Sequence, residues 1–186
     1  MREEGPPLLT RDAEELALLE PAATPFGELV ANGPRTAERR DEYAFVVEAV
    51  REGYLCHYGS PRVLVKADPD LALLAGDLFY AIGIRGLADL DDLESTGILS
   101  DLIRVAADLQ AAGRPDLAET LWLGQIVALA CGKSDSYDEM LAALEQGQEG
   151  AGEALSGWSK GQAEASGLGR EFDTALTAID SGPSNF

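Results

Sequence analysis

The sequence is poor in the groups that most often carry chemistry. It has one histidine, His57, and two cysteines, Cys56 and Cys131. A histidine-built metal centre is thereby excluded. Two distant cysteines make neither a disulfide framework nor a CxxC site, which points to a reducing, cytoplasmic setting. Bases are scarce, 14 Lys and Arg against 33 Asp and Glu, for a net charge of −19. Such a surface repels phosphate polymers and anionic lipid, so nucleic-acid binding is not expected. Aromatic residues make up only 6%. No unbroken apolar run reaches the roughly 18 residues of a membrane span, and MREEGPPLL lacks the apolar core of a signal peptide. Strand signals are nearly absent, Arg62-Val63-Leu64-Val65 being the one short candidate. What remains is helical: 186 residues, 46% of them apolar, are enough for one all-α core.

GPP, PAATP and NGP interrupt the first stretch repeatedly, so residues 1–35 read as an irregular arm with a short capped helix at 12–20. From 36 the pattern turns helical. Tyr43, Val46, Val47, Val50 and Tyr54 predict an amphipathic helix over 37–57 with Thr36 as N-cap, closed by His57-Tyr58-Gly59-Ser60-Pro61. Asp68-Pro69-Asp70 opens the next helix in the order cap, N1 proline, dipole-favouring acid. Leu71, Leu74, Ala75, Leu78 and Ile82 form one stripe, and Leu73, Phe79, Tyr80 and Ile84 widen it almost all round. The expectation is a buried central helix over 68–86.

An acidic connector, Asp89-Leu90-Asp91-Asp92-Leu93-Glu94, leads to an apolar-periodic helix over 98–112. Pro115 starts another, in which Gly124 would let a neighbouring helix approach closely. Ser136 and Glu139 form a capping box for one more. Seven glycines between 147 and 169 then predict a weakly helical or disordered tail over 147–186. The expected architecture is an antiparallel bundle of about five to six helices over 36–146.

Charge is uneven along the chain. Residues 35–66 hold six bases, Arg35, Arg39, Arg40, Arg51, Arg62 and Lys66, against five acids, while every other region is acidic. This island could meet an anion or an acidic partner, although ion pairing along a helix surface is the commoner use of such a pattern. Cys56 and His57 could form a nucleophile–base pair, but adjacent helical residues point about 100° apart, which favours a helix-end histidine. Asp77, in the most apolar helix, reads as an anchor to a facing helix, since a lone buried charge is costly. Asp89, Asp91, Asp92 and Glu94 offer oxygen ligands for Mg²⁺, against the simpler reading of a solvated loop.

The segment Leu73-Leu74-Ala75-Gly76-Asp77-Leu78, preceded by a loop with Arg62 and Lys66, resembles the Gly-Asp helix of all-α trans-isoprenyl diphosphate synthases, over about 42–132. The DDxxD motifs of that family are missing: His57-Tyr58-Gly59-Ser60-Pro61 stands at the first, and Asp91-Asp92 comes too late. The combination is similar to the small non-catalytic subunit of two-component polyprenyl (hexa- or heptaprenyl) diphosphate synthases. That resemblance implies an isoprenoid-synthase-like bundle and a catalytic synthase partner that carries the Mg²⁺, this chain holding no cofactor. It further implies help in setting the length of a prenyl chain for menaquinone. Leu74, Leu78, Phe79 and Ile82 would pack against the partner or wall its channel, together with the 98–112 helix. Asp77 would anchor the helix, and Arg62 and Lys66 would contact an anion or the partner. The competing expectation is a helical adaptor without lipid chemistry.

Overall fold

The computed structural model describes residues 24–64 and 68–180. The fold is all-α: α1 (Pro25–Ala31), α2 (Arg40–Tyr58), α3 (Pro69–Leu90), α4 (Leu93–Ala111), α5 (Pro115–Cys131), α6 (Tyr137–Glu145), α7 (Ala151–Ala165) and α8 (Gly169–Asp180), with a 3-10 turn at Ala37–Arg39. Among the described residues there is no strand, and residues 62–64 form a bend rather than the start of one. The helix expected over 12–20 lies outside the described residues.

The central helix is α5, not the 68–86 helix that the sequence singles out. From Leu121 to Ala130 every residue of α5 is buried, with α1, α4, α7 and α8 packed around it. After Glu119 this helix carries no charged side chain, and its small residues admit neighbours at close range. A Cβ on Gly124 would stand 3.0 Å from Leu155 of α7, so the glycine serves the close approach that its position suggests.

Helix α3 lies outside, against α2. Gly83 faces Val50, Gly86 faces Val46, and Gly76 faces His57 and Cys56. Numbers rise on one helix as they fall on the other, so the two run antiparallel. Only Gly76, Phe79, Gly83 and Leu87 of α3 are buried. The hydrophobicity that suggested all-round burial is therefore divided between a glycine-lined inner seam and an outer face.

Local signals are met in part. Asp68 caps α3 through its carboxylate and the Asp70 amide at 2.9 Å. Helix α3 continues past Arg85-Gly86 to Leu90 and ends on Asp91 in a left-handed conformation (φ 55°). The acidic connector is thus mostly helix ends, and Asp92 is the N-cap of α4. Thr36 does not cap α2. Its buried hydroxyl donates to the carbonyls of Val30 and Gly33, fastening the turn after α1.

Two stretches expected to be loose are part of the core. Residues 24–35 include α1, whose Phe26, Leu29, Val30 and Ala31 are buried. In place of a weak tail, α7, α8 and the turn between them bury Leu155, Ala163, Leu168, Phe172 and Ala175. Glycines lower the intrinsic helicity of this region, but packing of an apolar stripe contributes more than propensity. The Trp158 ring lies 4.6 Å from that of Tyr137, and its indole N–H donates to Ser134 Oγ at 2.8 Å.

Candidate functional site

The basic island is largely consumed within the fold. Arg62 donates to Glu48 at 2.7 Å and to Glu52 at 2.8 Å, and Glu52 also accepts the amides of Arg62 and Val63. Carboxylates four residues apart on α2 thus hold the loop that was expected to receive an anion. Lys66 lies outside the described residues. Arg35 reaches the Leu129 carbonyl and the carboxylates of Asp92 and Glu94.

Arg51 is the island's deepest member. Its guanidinium lies 4.9–5.1 Å from the ring centroids of Phe26, Tyr54 and Trp122, and 2.9 Å from Glu119. Three ring faces and one carboxylate account for a buried cation. Sequence spacing conceals this cluster, because its members come from α1, α2 and α5.

Neither candidate reactive centre assembles. Burial pushes the Cys56 thiol up to about 11, away from thiolate chemistry. His57 is engaged elsewhere, stacking on Tyr80 at 5.3 Å, with Nε2 at 3.2 Å from Asp77 Oδ1. Asp92 accepts from Tyr43 Oη at 2.6 Å, and from the amide and hydroxyl of Ser95 at 3.0 and 2.6 Å. Its oxygens are occupied by structural donors. Among the described residues no cluster of three or more His, Cys, Asp or Glu is placed to hold a metal ion.

Asp77 does tie α3 to α2, but from the surface. Its side chain is 74% exposed, so the premise of a buried charge does not hold. Phe79 is buried in the α2–α3 seam and is unavailable to a partner. Ile82 is half-buried. Of the apolar residues of α4, Ile98, Leu99, Leu102 and Val105 are wholly buried in this chain's own core. They cannot wall a channel elsewhere while this fold is intact.

Among the described residues, nothing covers the outer face of α3, where four of the exposed large apolar side chains lie together. Leu71, Leu74 and Leu78 are 53%, 68% and 47% exposed, and Leu73 adjoins them. Ala81, Arg85 and Ala88, all exposed, continue the row at spacings of three and four. These positions lie opposite Gly76, Phe79, Gly83 and Leu87, so one helix carries an inner and an outer seam. The sequence shows this stripe plainly. It cannot show which of the two seams is covered.

Exposed leucines in a row are unusual on a protein surface and mark contact sites. Among the described residues α3 is also the one helix long and apolar enough to cross a membrane, although core helices of soluble proteins meet the same test. Asp77 and Arg85 interrupt that stretch. An exposed apolar face beside structurally committed charges is the arrangement found, and searches of protein families, curated proteins and solved structures yield no match to this chain.

Proposed function

We propose that this chain is a non-catalytic helical subunit that works by docking another protein on the outer face of α3. The observation that carries the reading is the row Leu71, Leu74 and Leu78, exposed on a helix whose opposite side is fully packed. The engagement of Asp92, Arg62 and His57 in internal contacts supports binding over catalysis. The two unpaired thiols support a cytoplasmic setting.

An adaptor without lipid chemistry is the form of this reading that local packing favours. In the Leu-Leu-Ala-Gly-Asp segment, Gly76 lets α2 approach and Asp77 meets His57, roles that require no prenyl substrate. The resemblance in that segment nominates a catalytic polyprenyl diphosphate synthase, with its Mg²⁺, as the first defined partner to test.

The immobilised chain and its Leu74→Asp/Leu78→Asp variant are exposed to the same cell extract. Proteins retained by the first and lost by the second are expected. Identical retention by both would remove the docking reading. Prenyl transfer by a purified synthase, with and without the chain, then decides the partner: unchanged product length and no complex would leave the adaptor form alone.

A further inference from the structure

Resting on the reading of α3 as a docking face, the charge around it specifies the kind of partner. We propose that this face takes a basic amphipathic helix of another protein, with an apolar stripe against Leu71, Leu74 and Leu78 and Lys or Arg on its flanks.

The stripe extends from Leu71 to Ile82, about 16 Å at 1.5 Å per residue, which matches three turns of one helix bearing anchors at i, i+3 or i+4, and i+7. One border and both ends of the stripe are acidic. On a helical projection Asp70 and Asp77 fall on one side, Asp68 lies before the row, and Asp89, in line with Leu71 five turns on, lies with Asp91 past its far end. Arg85 is the one base on α3, and it is 4.0 Å from Asp89. Asp77 keeps three-quarters of its side chain in solvent beside His57, which leaves room for an incoming cation.

The net charge of −19 acts in the same sense at long range. It attracts a basic partner, opposes a second copy of this chain, and opposes an anionic lipid surface. A basic helix is the occupant that both the apolar row and the acids beside it and at its ends fit.

The test uses three labelled synthetic helices with leucines at this spacing and flanks of Lys, Gln or Glu, measured by fluorescence anisotropy against the full chain. The Lys helix is expected to bind at least about tenfold tighter than the Gln helix, and to weaken as salt rises from about 50 to about 300 mM. Leu74→Gln/Leu78→Gln is expected to abolish binding, while Leu93→Gln, at another highly exposed leucine, leaves it intact. Asp70→Asn/Asp77→Asn is expected to narrow the gap between the Lys and Gln helices.

Equal or tighter binding of the Glu helix overturns the proposal. So does Lys-helix binding that the leucine substitutions do not reduce, because that would be general charge attraction. Sedimentation and flotation with anionic vesicles separate this failure from failure of the docking reading. Dimerisation, or vesicle binding, that requires Leu74 and Leu78 overturns the basic helix but keeps the face as a contact site. A monomer that binds no helix and no vesicle removes both.

Discussion

Asp92 shows how the meaning of a residue depends on where its partners come from. The sequence places it in an acidic run and offers it as a cation ligand. Tyr43 and Arg35, 49 and 57 residues away, claim its oxygens instead. Burial pushes its carboxyl up, but donors from Ser95 and Tyr43 and the charge of Arg35 outweigh this and hold it below the ordinary value. A lowered folded-state pKa makes the contribution complete above the ordinary carboxylate range and lost as pH falls through the lowered value. Asp92→Ala is expected to cost about 1–3 kcal/mol at neutral pH through the lost cap and the unpaired Tyr43 hydroxyl. Urea unfolding at pH 7 and at about pH 3 checks this: the variant should lose less stability on acidification than the parent chain. An equal acid loss in both would show that Asp92 does not carry the linkage.

At the scale of elements, the glycines divide by what faces them. A Cβ on Gly83 would run into Val50 across the α2–α3 seam, whereas one on Gly157, within α7, meets nothing within 4 Å. Gly83→Ala is expected to destabilise by about 1–3 kcal/mol, because the seam must open to admit a methyl group. Gly157→Ala should stabilise by about 0.5–1 kcal/mol through reduced chain entropy. Paired thermal melts suffice, and a stabilising Gly83→Ala would contradict the tight seam. The sequence shows Gly76 and Gly83 seven residues apart on one helical side. It reads equally as a helix apolar all round, since composition does not distinguish glycine for close contact from leucine for burial.

For the whole molecule, the decisive step is the closure of α5 by the C-terminal helices. Leu155 sits on Gly124, and Leu168 and Phe172 complete the buried cluster. Ending the chain after Gln146, where the sequence suggests a boundary, would uncover the buried central helix α5. The truncated chain is expected to melt without a cooperative transition, unlike the full chain, and to self-associate. Circular dichroism and size exclusion read this directly, and a monomeric, cooperatively melting 1–146 fragment would overturn it.

The amino-acid sequence by itself determined the all-α class, the cap and start of α3, the proline start of α5 and the apolar stripe that includes Leu71, Leu74 and Leu78, because these depend on residues within a few turns of one another. Only the tertiary structure decided which apolar helix is central, that residues 151–180 join the core, that Arg51 is enclosed by rings from three helices, and which side of α3 stays uncovered. Those outcomes depend on competition among surfaces distant in the chain, where each apolar face is buried only if a complementary one reaches it. Local periodicity records that a face exists but not which other face meets it.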